Sequence, residues 1–159
     1  MRRSARFYYH DRDAPAPNRP RALSVVALIE RDGTLLLEHR TDAALWSLIA
    51  GMVEDDETLT DALRREVREE TGLELTAVEL FGTFSDPTRI VSYPDGNVFR
   101  VVSVAYSVAV ASFAGLRASE ESEALRFFPL AELPFLALPA TQRPIVDRLL
   151  TGGPPPHLE

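Results

Sequence analysis

The chain contains no cysteine. That excludes a disulfide framework, a thiolate metal site and a cysteine nucleophile, and it suits a reducing compartment, so a cytoplasmic location is expected. Long apolar runs are also missing. None approaches the ~18 residues of a membrane span, and the opening stretch MRRSARFYYHDRDAPAPNRP has no apolar centre of the kind a secretory signal carries. The three histidines, His10, His39 and His157, are scattered without ligand spacing. No broad basic stripe is present to track a nucleic-acid backbone. Neither a membrane nor a stable nucleic-acid complex is therefore expected as a partner.

What is present fits one globular domain. The 159 residues are 45% apolar and 26% charged, enough to bury a real core. The net charge of −7 is unevenly placed. Residues 54–70 hold eight acids (Glu54, Asp55, Asp56, Glu57, Asp61, Glu66, Glu69, Glu70) against three arginines, leaving only −2 for the rest of the chain. The acidity belongs to one element.

Along the chain, residues 1–20 read as a loosely ordered arm rich in proline and charge, 21–150 as the folded domain, and 151–159 as a disordered tail. ALSVVALIE (22–30) and LLLEHR (35–40) read as strands joined by a hairpin at Asp32-Gly33. Further strands are expected over 77–84, 99–110 and 124–130. SDPTRIVSYPDGN reads as loop, and 141–150 as a closing helix with Pro144 near its start. This order predicts an α/β or α+β domain with a mixed sheet.

The acidic segment has the marks of a helix. Thr58 and Asp61 have capping-box spacing, and Gly72 suits a left-handed stop. Leu59, Ala62, Leu63 and Val67 make a stripe to bury. That phase gathers Glu66, Glu69 and Glu70 on another side. A solvated face relieved by Arg64, Arg65 and Arg68 would be the ordinary reading. Clustering of the acids directly after a glycine-containing acidic loop argues instead for a divalent cation, and carboxylate oxygens favour Mg²⁺, Mn²⁺ or Ca²⁺.

The spacing from Gly51 to Leu73 is G-x5-E-x7-R-E-V-x-E-E-x-G-L, which resembles the Nudix hydrolase signature at every fixed letter. Arg40 at a strand end, Trp46 before the glycine loop and the later EESEALRFFPLAELP resemble the family's surroundings, over roughly 22–150. The resemblance implies a mixed β-sheet sandwiched between helices. It also implies a pyrophosphohydrolase using Mg²⁺ or Mn²⁺ on a nucleoside diphosphate linked to another group. Glu66, Glu69 and Glu70 fall on the metal positions, with the Gly51 carbonyl as a further ligand. Glu57 and Arg65 match a structural pair. Two positions depart from the common pattern, Ala50 and Asp56, where many members carry glycine.

In such chemistry, cations neutralise the anhydride oxygens and acidify a water, and a carboxylate takes its proton. The base is Glu69 or Glu70 in the signature, or Glu121 in a later loop. Arg40, Arg89 and Arg100 are candidate phosphate contacts, and Phe84 and Tyr93 candidate stacking rings. A nucleotide sensor without catalysis is the alternative reading, and an intact set of glutamates argues against it. An isoprenoid diphosphate isomerase, a relative by resemblance, needs a cysteine this chain lacks. Sugar nucleotides of the ADP-ribose type, (deoxy)nucleoside triphosphates and dinucleoside polyphosphates all fit, with a slight lean to the first. A homodimer is a further expectation.

Overall fold

The computed structural model describes residues 4–159. The strands are β1 (Arg6–Tyr8), β2 (Ala22–Arg31), β3 (Thr34–Arg40), β4 (Trp46–Met52), β5 (Leu75–Phe84), β6 (Ile90–Ser92), β7 (Val98–Val110) and β8 (Ser122–Pro129). The helices are α1 (Leu59–Thr71), between β4 and β5, and α2 (Arg143–Thr151), at the end. One sheet runs β1-β6-β7-β2-β4-β3-β8, with β5 also paired to β7. The β2–β7 pairing is parallel and the others are antiparallel, so the sheet is mixed, as expected.

A strand buried on both faces reads as a continuous apolar run, and β2 shows why. Val25, Ala27 and Ile29 pack with Leu36, Ile49 and the α1 residues Ala62, Leu63 and Val67. Val26 and Leu28 pack on the opposite side with Leu35, Leu37, Leu48, Phe84 and the α2 residues Ile145 and Val146. Each helix therefore closes one face of the sheet.

Helix α1 begins and ends where the sequence places it. Thr58 accepts from Asp61 N at 3.2 Å, and the Asp61 carboxylate returns the bond to Thr58 N. Gly72 sits at φ 73° and donates to Arg68 O, and a Cβ there would also meet Gly115 O at 2.7 Å.

Several expectations are corrected. The β2–β3 hairpin has the anticipated positive φ at Asp32 and Gly33, yet only Glu30↔Leu35 and Arg31↔Thr34 pair before β4 takes the place between the two strands. The arm expected to be loose contributes β1, which pairs Arg6, Phe7 and Tyr8 with Ser92, Val91 and Ile90. A strand margin with unpaired backbone groups recruits such a partner, which also explains the short strand β6 inside a stretch that reads as loop. Residues 1–3 of the arm lie outside the described residues. In the tail expected to be disordered, His157 bonds Thr83 N and Phe81 O at 2.8 Å each, on β5.

Leu63 is 1% exposed in the α1 face of the core. Leu63→Ala is expected to lower the unfolding free energy by about 2–5 kcal/mol, read from denaturant titration.

Candidate functional site

Helix α1 is anchored to the end of β4 by Arg65. Its Nε and Nη2 donate to Glu57 at 2.5 and 2.9 Å, Nη2 donates to Met52 O at 3.0 Å, and Nη1 donates to Glu66 at 2.7 Å. A weaker Nη1 contact reaches Glu69 at 3.3 Å. These charge-assisted bonds hold the acidic loop against the helix and draw the Glu57 carboxyl down to about 2, mainly through the Arg65 bond. Glu57 and Arg65 thus stand as the pair the sequence pattern implied.

Gly51, in β4, lies directly beneath this helix. A Cβ at position 51 would fall inside the Glu66 carboxylate. Only a residue without a side chain lets Glu66 reach the strand, so the glycine here is a matter of space.

Above this contact is a cleft of about 410 Å³, lined among others by Glu38, Arg40, Gly51, Glu66, Glu70 and Glu121. Glu66 and Glu70 come from one side of α1. Glu121 comes from the loop before β8, whose backbone carbonyl accepts from Thr41 N and Oγ1. Glu69 is more exposed and faces an adjoining groove with Arg65, Ser119 and Glu121. Arg40 is at the cleft with Nε and Nη2 each 2.7 Å from Asp42, and its Nη1 is 3.8 Å from Glu38. Tyr93 lines the same cleft.

Three sequence candidates fall elsewhere. Arg89 is 1% exposed, and its guanidinium is spent on the carbonyls of Phe84, Val101 and Thr141 and on Ser103 Oγ. No donor remains for a phosphate. Phe84 is a core residue at 1% exposure, on the α2 side of the sheet, so it cannot stack on a ligand. Arg100 donates to Ser85 O and does not line the cleft. A β-strand pattern gives the face of such residues but not the depth at which they lie.

One site residue went unnoticed in the sequence. Glu38 is 3% exposed within β3. It receives a 2.6 Å bond from Ser122 Oγ, and the same hydroxyl lies 3.3 Å from Glu70 Oε2, which Ser119 Oγ also approaches at 3.2 Å. A register shift between β3 and β8 at His39/Arg40 brings Ser122 opposite Arg40, a use of irregular pairing to aim a side chain. Alternation along LLLEHR was an available signal, because it puts Glu38 on the face of Leu36, under α1.

Burial, followed by the neighbouring Glu70, pushes the Glu38 carboxyl up to about 8. Burial also raises Glu66 to about 7, against the pull of Arg65. Three carboxyl groups thus crowd a partly dry cleft that has too little positive charge for them. Their donors are all hard oxygens, the set that suits Mg²⁺ or Mn²⁺, and the missing Cβ at 51 leaves the backbone open beside them. Among the described residues no three acidic or imidazole side chains close into a finished cage, since Glu66 is turned onto Arg65 and Glu69 outward. The residues fit a cation in chemistry, and Glu66 and Glu70 line one cleft with Gly51.

The raised groups make stability depend on pH. Below the ordinary glutamate range both carboxyls are protonated whether the chain is folded or unfolded, so native stability is undiminished. It falls as pH rises from the ordinary glutamate range, where the unfolded chain ionises and the native state still holds its protons, and it levels off above about 7 for Glu66 and about 8 for Glu38. In cation-free buffer the thermal midpoint is expected to drop between pH 5 and pH 9, and Glu38→Gln to flatten that drop.

A model of the NUDIX domain matches residues 18–149. An ADP-ribose pyrophosphatase of Methanocaldococcus jannaschii is 34% identical over 119 residues, 73% of this chain and 66% of that one. Nucleoside triphosphatase NudI of Escherichia coli O139:H28 is 42% identical over 78 residues, 45% of this chain and 55% of that one. The chain thus spans less than two thirds of the length of these relatives. Among solved structures, the MutT protein of Methanosarcina mazei Go1 superposes with a TM-score of 0.69 at 25% identity, covering 86% of this chain and 97% of that one. The E. coli ORF135 protein gives 0.66 at 29% identity, covering 87% and 94%. With the family match running through every strand from β2 to β8 and nearly all of α2, the chain belongs to the Nudix domain family.

Proposed function

We propose that this chain hydrolyses a phosphoric anhydride bond in a nucleoside diphosphate derivative, with Mg²⁺ or Mn²⁺ held by Glu66, Glu70 and the Gly51 backbone. The observation that carries the reading is the acidic cleft itself, in which buried carboxyls from α1 and β3 meet where Gly51 has no side chain. A cation bound there would neutralise the anhydride oxygens and acidify a water. Of the substrate classes, ADP-ribose-type sugar nucleotides are favoured by the longer of the two alignments above, and nucleoside triphosphates are the second class.

The chain's own groups divide the remaining work. Arg65 holds Glu57, Met52 and Glu66 in one frame, so its role is to position. Ser119 and Ser122 fix Glu70 from the β8 side. Arg40, oriented by Asp42, offers its guanidinium to a phosphate at the cleft. The oxygen of water attacks phosphorus, the anhydride P–O bond breaks toward the leaving phosphate, and the water's proton passes to a carboxylate. Glu121 and Glu69 are the two candidates for that base, because both lie at the margin of the cleft with exposed carboxylates.

Two measurements test this. Incubating a panel of nucleotide derivatives with Mg²⁺ or Mn²⁺ should release phosphomonoesters, counted after phosphatase coupling. The glutamine variant of the true base should lose about 10²–10⁴ in kcat, while the other variant stays near normal. Inactivity across the whole panel would favour a nucleotide sensor instead. Separately, Gly51→Ala should displace the Glu66 carboxylate. Mn²⁺ affinity, followed by electron paramagnetic resonance, is then expected to fall while the circular dichroism spectrum is unchanged.

A further inference from the structure

Beside the acidic cleft lies a second recess, of about 90 Å³, which shares Arg40, Ala50, Gly51, Met52 and Tyr93 with it. Val26, Val91 and Val101 give it aliphatic walls, and it also carries Ser24, Ser103 and Arg89. The hydrogen atoms of those three residues can be accounted for one by one. Arg89 has five N–H groups. Nε and one Nη2 hydrogen go to Thr141 O at 3.0 and 2.8 Å, Nη1 serves the carbonyls of Phe84 and Val101, and the other Nη2 hydrogen goes to Ser103 Oγ at 2.9 Å. The guanidinium is saturated.

Ser103 Oγ, 2% exposed, therefore accepts from a cation and lies 2.6 Å from Ser24 Oγ. Among the described residues Ser24 is the acceptor its hydrogen can reach. If Ser24 donated instead, the buried Ser103 hydrogen would have no acceptor, which is costly. The bond therefore runs from Ser103 to Ser24. Ser24 keeps its own hydrogen, with no protein acceptor among the described residues, and it lines the recess while only 9% exposed. A buried guanidinium thus orders two hydroxyls so that a single O–H is left facing the ligand space.

We propose that Ser24 is a specificity-determining donor that takes a carbonyl oxygen on the edge of the substrate's nucleobase, in preference to an amino group at the same ring position. The proposal rests on the nucleotide-derivative reading above and narrows it. Adenine carries an amino group and no carbonyl, so among sugar nucleotides and nucleoside triphosphates those with a uracil, guanine or hypoxanthine base are expected to bind ahead of ADP-ribose itself. Aliphatic walls with the rings of Phe7 and Tyr93 among the lining residues suit the flat faces of a base. An amino group could give a hydrogen to the second lone pair of Ser24, but the Ser24 hydrogen would then stay unmet. A carbonyl satisfies it.

The test is titration calorimetry in cation-free buffer with two matched pairs, inosine against adenosine monophosphate and uridine against cytidine monophosphate. The carbonyl member of at least one pair is expected to bind about tenfold tighter or more, the range in which an unmet polar group discriminates. Ser24→Ala should bring that ratio close to one, and Ser24→Thr, which keeps the hydroxyl, should retain it. Parity in the unmodified protein, a preference that survives Ser24→Ala, or no binding of any of the four would overturn the proposal. Parity in the unmodified protein does so whether or not the alanine variant folds. Preferential binding without hydrolysis of any derivative would overturn the hydrolase reading and leave this one standing.

Discussion

The contact between the Glu66 carboxylate and the bare backbone of Gly51 is the constraint around which the cleft is built. Helix α1 can approach β4 this closely only because position 51 has no side chain, and it is held there by Arg65, which bonds Met52 O and Glu57 as well as Glu66. The hydrophobic stripe of Ala62, Leu63 and Val67 supplies the packing that drives the helix onto the sheet. Without that apolar contact, Glu66 and Glu70 on α1 would have no reason to be withdrawn from solvent beside Glu38 on β3. The free energy of the core thus sustains an electrostatically unfavourable arrangement, as is common where a site is assembled before its ligand arrives.

The same economy governs the cations. Arg65, Arg40 and Arg89 are each engaged by the protein, in three different ways. Arg65 is paired with carboxylates and ties the loop to the helix. Arg40 is paired with Asp42 at the cleft and remains near Glu38. Arg89 has only neutral acceptors, and burial lowers it to about 10. A buried guanidinium surrounded by carbonyls joins β7 and the segment before α2 to the start of β6, so its role is architectural, and beside the recess it orients the hydroxyls of Ser103 and Ser24.

Much of this was legible in the residues. The helix could be bounded from Thr58 to Gly72 because caps and stops are local chemistry, read from side chains a few positions apart. The strand β2 was readable from its apolar run over Val25–Ile29, although its burial on both faces was not read from it. Strand β4 was harder, because Trp46–Met52 mixes polar, small and bulky residues and is a strand through its pairing with β2 and β3. Strands β1 and β6 were not foreseeable either, being three residues each and defined mainly by their pairing partners.

By itself the sequence placed Glu66, Glu69 and Glu70 on one helix, set Glu57 within reach of Arg65 and carried the family signature, because each depends on spacing within one continuous segment. Only the tertiary structure decided that Glu38 joins the cleft, that Arg89 and Phe84 are withdrawn from it, and that a lone hydroxyl hydrogen of Ser24 faces the neighbouring recess. Those outcomes depend on groups from different strands, such as Glu38 with Ser122 and Ser24 with Ser103. Their hydrogen bonds and burial are set by strand register and sheet order, and no local pattern encodes them.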